Sequence, residues 1–340
     1  MERMPDGPDG RPFWRPWRLR RLMQFAVLGP TLPRWATSRW VLEQALQALH
    51  ESRRPHVLRA MGIAIEIRGC EGRLAGVDQA DARAKVIDHD WVFRQVLLYE
   101  LGGLRHFIRR TASADLLAGA DHIDEWALGR MGGYRLHERA PATLTWENLA
   151  TGVRIEMPNI GSGVFIVPGE TVIGRVVPVE VGSMFESTPL RVPLEVARMV
   201  AHAPDDWIDA LRGGCDMVEP PITDGFWFGV LSDVPMPVVW AALLSGSEGP
   251  VIPTEAERAR ALLRVATGAL GLGPEDLRPE ELDVWACLAA AVLDPTVAVG
   301  LAEVVRPEDA AIFAGLGDAL AEPAATVCRD LAAYLLEDAA

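Results

Sequence analysis

The chain has 340 residues, 49% of them hydrophobic and 24% charged, with a formal net charge of −14. That composition supplies ample apolar material for a core and excludes a chain dominated by disorder. No run reaches the roughly 18 apolar residues of a membrane span. The charge is uneven: residues 1–60 hold 11 Arg against 5 acids, while residues 61–340 carry a net of −20. An acidic body repels nucleic acid and anionic lipid, which confines any such binding to the basic end.

The N-terminal 12 residues are rich in Pro, Gly and charge. Phe13 to Arg21 then interleaves aromatic and basic side chains: Trp14, Arg15, Trp17, Arg18, Arg20 and Arg21. Such a segment can pack on its own acidic body, meet a protein partner, or stack on bases while neutralising phosphates. Charged residues and Pro stand where a signal peptide needs an apolar core, so a cytoplasmic protein is expected. The four cysteines (Cys70, Cys215, Cys287 and Cys328) are isolated, as expected of free thiols in a reducing compartment. Lys85 is the single lysine.

Trp40 to His50 has helical spacing, with Ser38 as its N-cap. Leu58 to Ile67 alternates as a strand does, through Ile63, Ile65 and Ile67. Asp90 caps a helix predicted over Trp91 to Arg109, with an apolar stripe from Val92 to Ile108 and a kink or stop at Gly102-Gly103. A further helix opens at Thr111 or Ser113 and runs to Leu128.

Tyr134 to Pro193 is the one long stretch written as strands. Thr143–Trp146 and Val153–Met157 alternate around Thr151-Gly152 and predict a hairpin with Leu144 and Trp146 inside and Arg154 and Glu156 outside. Gly163–Val167, a Pro168-Gly169 turn and Thr171–Val179 predict a second pair, in which Gly174 and Pro178 suggest a bulge and an edge. Met184–Val192 supplies a fifth strand. The order Trp146, Thr151-Gly152, Pro168-Gly169, then Gly174 to Val179 resembles the small β segment of uncharacterised actinobacterial proteins, some of which carry a SEC-C type Cys/His zinc tail. The resemblance implies a fold for this segment and no activity, and the zinc tail is absent here.

Leu194–Ala201 and Asp205–Leu211 are predicted as short helices ended by Gly213-Gly214. Residues 219–253 form a connection containing the apolar cluster Phe226, Trp227 and Phe228. From Thr254, whose Thr-Glu-Ala-Glu start is a capping box, the sequence predicts an antiparallel bundle with Pro-initiated helices at Pro279, Pro307 and Pro323. Val284–Leu293 is a buried helix of that bundle.

Asp88-His89-Asp90 and Asp121-His122-Ile123-Asp124-Glu125 are the best acid and His clusters. If they met, His89, Asp90, His122 and Asp124 could hold a divalent metal and activate water. Acids at helix starts are equally expected as caps. Arg130 and His137 have a spacing similar to the Arg/His pair of the HEPN ribonucleases, although glycines and a strand onset lie between them. Gly161-Ser162-Gly163 lacks the flanks of a nucleophile elbow, and Gly268–Gly273 lacks the Lys of a phosphate loop.

The expectation is an α+β protein. A basic arm (1–23) precedes helices with a small antiparallel β module, curled or barrel-like (24–218), then a connection (219–253) and a helical bundle (254–340). Its expected role is non-catalytic interaction, without cofactor, with a protein partner met through the arm or through Phe226–Phe228. Nucleic-acid binding through residues 11–21 and metal-dependent hydrolysis at His89 and His122 are the alternatives.

Overall fold

A computed structural model describes residues 32–68, 90–214, 234, 236–244, 254–273 and 282–338. The architecture is α+β: helices at both ends flank an antiparallel, nearly closed sheet. The arm, Cys70, His89 and Phe226–Phe228 lie outside the described residues.

Two helices open the fold, α1 (Arg34–Ser52) and α2 (Arg54–Arg68). Ser38 is not a cap. It lies inside α1, whose N-cap is Pro33, and its hydroxyl donates to Asp121 O and accepts from Asp121 N, both at 2.7 Å. Residues 58–67 belong to α2 and form no strand. Val57, Ala60, Met61, Ala64 and Ile67 recur at helical spacing and are buried together, so the local alternation of isoleucines yields to packing.

Asp90 does cap its helix, accepting from Phe93 N at 2.8 Å. The segment that follows is not one helix: α3 (Trp91–Gln95) passes into a π turn (Val96–Glu100), and Gly102 takes φ 66° before α4 (Gly103–Arg110). Gly103 permits the tight join, since a Cβ there would lie 2.4 Å from Leu97 O. Ser113 caps α5 (Ala114–Gly119), which stops before a separate turn, α6 (Ile123–Trp126).

The sheet comprises β1 (Met131–Arg139), β2 (Thr143–Asn148), β3 (Arg154–Pro158), β4 (Thr171–Val179), β5 (Gly182–Phe185) and β6 (Leu190–Arg191). The order is β3-β2-β1-β4-β5, with β6 also on β4, and β3 approaches β5 to nearly close the ring. Leu144 and Trp146 face inward and Arg154 and Glu156 outward, as the alternation requires. Tyr134 and Trp146 each meet Phe185 edge to face, at 5.2 and 5.1 Å between ring centroids.

Several expectations for the module change, and Met184–Val192 divides between β5 and β6 instead of forming one strand. Residues 163–167 form no strand. Val164 N and Ile166 N make local turn bonds to Gly161 O and Gly163 O, and the segment is apolar because Val164 and Ile166 are buried. The bulge falls in β1, between Leu136 and Glu138, whereas Gly174 pairs regularly with Gly132. Strand β4 is central, but β1 flanks it only as far as Arg175; beyond that point β5 is its paired neighbour, and Pro178 fits there without losing a ladder bond to β1.

After α7 (Leu194–His202) and α8 (Trp207–Gly213), the C-terminal helices are α9 (Met236–Leu243), α10 (Glu255–Ala269), α11 (Val284–Val292), α12 (Pro295–Val304), α13 (Ala310–Ala319) and α14 (Ala324–Asp338). Thr254 and Glu257 form the expected capping box on α10. Pro307 opens only a short 3₁₀ turn. The sheet meets the bundle at the start of α11: Asp283 N donates to Val164 O at 3.3 Å, and Asn159 Nδ2 to Asp283 Oδ2 at 2.7 Å. Among the described residues no single helix is long and apolar enough to cross a membrane.

Candidate functional site

Buried polar side chains converge where the π turn meets β4. Hydrogen bonding from Leu101 N to Val96 O at 2.9 Å closes the widened turn, and π turns of this kind recur at functional positions. The turn brings Tyr99 and Glu100, neighbours in sequence, to a single guanidinium. That group belongs to Arg175, whose side chain is only 4% exposed.

Arg175 is fully engaged. Its Nε donates to Gln95 Oε1 at 2.9 Å, Nη1 to Gly129 O at 2.6 Å and Nη2 to Glu100 Oε1 at 2.5 Å. Its guanidinium carbon stands 4.3 Å from the centroid of the Tyr99 ring, a cation–π contact. Glu100 Oε1 accepts a second bond from Trp207 Nε1 at 2.9 Å, which ties in α8. On the other side Gln95 Nε2 donates to Glu186 Oε1, which also accepts from Ser187 Oγ at 2.6 Å. Burial pushes the Tyr99 phenol well above its ordinary value of 10.0, and the nearby Glu186 charge adds to the rise. The result is a closed network joining α3, the π turn, the α6–β1 link, β4 and α8.

Of the residues singled out as metal ligands, Asp90, His122 and Asp124 are described, and they form no ligand group. Asp90 accepts from Phe93 N and from Arg68 Nε, each at 2.8 Å, so both its oxygens serve structure. His122 adopts a left-handed φ of 45°, with Nδ1 2.8 Å from Glu125 Oε1 and Nε2 3.5 Å from Asp121 Oδ1. The Glu125 hydrogen bond, with the Asp121 and Glu125 charges, raises its pKa above 6.5. Asp121 is turned inward, where Oδ2 accepts from Glu180 N at 2.6 Å, while Asp124 is exposed. Among the described residues no three His, Cys, Asp or Glu side chains form a group fit for a metal. Arg130, just before β1, pairs with Asp205 at the surface, and His137 lies exposed on β1.

Sequence reasoning passed over Gln95, Glu100, Arg175 and Glu186. One signal was available: Arg175 is the sole charge in the nine residues of β4. A charge within an otherwise apolar strand needs a buried partner.

Fold and site together define an α+β protein in which a small, nearly closed sheet is locked to its flanking helices by a buried Arg-centred network. Comparison with protein-family models, with curated proteins and with solved structures finds no match.

Proposed function

We propose that this chain is a non-catalytic interaction protein. Its folded body serves as a rigid mount, and the Phe13–Arg21 segment, together with Phe226–Phe228, meets a protein partner. The observation that carries this reading is the complete engagement of Arg175: the guanidinium is held by Gln95, Gly129, Glu100 and Tyr99, an arrangement suited to stiffness. The Trp and Arg residues of the arm offer the residue types that anchor protein interfaces. The cysteine usage fits a cytoplasmic setting.

Nucleic-acid binding is the second reading, favoured by five Arg and no acid within residues 11–21. The two separate in a capture experiment from cells that make the protein, using the intact chain and a chain lacking residues 1–21, each with and without nuclease. A defined protein that is retained after nuclease treatment and lost with the arm is the expected result. Recovery of nucleic acid alone, again lost with the arm, overturns the first reading in favour of the second.

A further inference from the structure

At a junction of three helices, two kinds of buried hydrogen-bond donor have no acceptor among the described residues. Arg68 closes α2 with a side chain only 8% exposed, and its Nε is held by Asp90 Oδ2 at 2.8 Å. Its Nη1 and Nη2 are buried and make no hydrogen bond among the described residues. The next residue after Asp90 is Trp91, whose indole Nε1 is likewise buried without an acceptor. Trp91 stacks edge-on against Trp207 of α8, 5.8 Å between ring centroids, and Arg212 of α8 binds Glu66 of α2 at 2.8 Å. These contacts tie α8 to α3 and to α2, and Asp90 ties Arg68 to the start of α3.

A guanidinium offers a planar fork, and a fork with one edge occupied presents its other nitrogens in the geometry that two oxygens of a single anion match. Asp90 does not supply those oxygens: its Oδ2 meets Nε and its Oδ1 meets Phe93 N, and neither Nη group bonds to it. Protein interiors seldom leave such donors unsatisfied, and a bound ion is one acceptor that satisfies them.

We propose that Arg68, supported by Trp91 Nε1, is a binding position for a small oxyanion, a carboxylate or a phosphate. This goes beyond the interaction role, and neither reading depends on the other. Asp90 aligns the guanidinium, the two Nη groups bind paired oxygens, and the indole supplies an additional neutral donor.

Titration calorimetry on the full chain with inorganic phosphate, and separately with acetate, at constant ionic strength tests the proposal. Saturable heat is expected for at least one anion, and which one identifies the ligand chemistry. Arg68→Lys keeps the charge beside Asp90 but removes the fork, and is expected to weaken binding by about tenfold or more. Trp91→Phe, which leaves Arg68 untouched, is expected to weaken it by about threefold and keeps the test open if Arg68→Lys does not fold. Arg212→Lys, altering only exposed pairs with Glu66 and Asp209 that do not touch Arg68, is expected to bind as the parent does. Absence of saturable binding to both anions overturns the proposal. So does unchanged affinity in Trp91→Phe together with a folded Arg68→Lys.

Discussion

Arg175 and Glu100 form an ion pair of 2.5 Å across 75 residues of chain, with the guanidinium 4% and the carboxylate 35% exposed. The pair lies at the edge of the interior, with its arginine side dry and its carboxylate side reaching water. Removing the arginine therefore strands Gln95 Oε1, the Gly129 carbonyl and the Tyr99 ring face at once. Arg175→Met should lower unfolding free energy by about 3–5 kcal/mol. Arg175→Lys, which retains a point charge without the fork, should cost less. Urea denaturation measures both, and a loss below about 1 kcal/mol for Arg175→Met would show that the network contributes little.

The approach of β1 to α7 gives a steric prediction. A Cβ on Gly133 would sit 1.9 Å from the Ala197 carbonyl oxygen, a backbone atom that cannot swing aside. Gly133→Ala should thus force the helix off the sheet at a cost of about 3 kcal/mol. Gly213, with no atom within 4 Å of its built Cβ, is the control. Gly213→Ala should be neutral or stabilising by up to about 1 kcal/mol. Equal stability of the two variants in denaturant would contradict the packing described.

Asp283 gives the fold a pH dependence of definite sign. Burial raises its carboxyl above the ordinary 3.8, against the opposing pull of Asn159, Arg139 and the Ala286 and Trp285 amides. The native state then holds the proton more tightly than the unfolded chain does. This group's contribution to stability is complete below 3.8, falls as pH rises through the raised native value, and is constant above it. Asp283→Asn removes the slope but also mispairs with Asn159, which adds a pH-independent loss. Plotting the stability of the parent minus that of the variant from about pH 3.5 to 6.5 should give a descending curve. A flat or ascending one refutes the assignment.

The described cysteines should be silent in the native protein. Cys287 and Cys328 are fully buried, and burial pushes each thiol up to about 12, with the Asp283 charge adding to the rise for Cys287. At pH 8 only about one thiol in ten thousand is then ionised at each site. Peptide mapping after iodoacetamide treatment should find both residues unmodified under native conditions and fully alkylated in guanidinium. Labelling of either in the folded state would mean that its helix opens readily.

Local chemistry determined much of this protein. The capping residues Asp90, Ser113 and Thr254, the β2–β3 hairpin with Leu144 and Trp146 inside, the turn at Gly169 and the buried helix from Val284 all follow from interactions within a few residues of chain. What failed in the sequence were segments whose apolar residues answer to distant partners. In α2 it is Val57, Ala60, Met61, Ala64 and Ile67, at helical spacing, that pack into the core, and the run 163–167 forms turns that meet Asp283. The candidate site was the least legible part, since Gln95, Glu100, Arg175 and Glu186 span 91 residues and only Arg175, the one charge in an apolar strand, stands out in isolation. Periodicity reports which face of an element is apolar, because that depends on neighbours three or four positions away. Which charged side chain ends up opposite which depends on how β4, α8 and the π turn are brought together, and only the tertiary structure decides that.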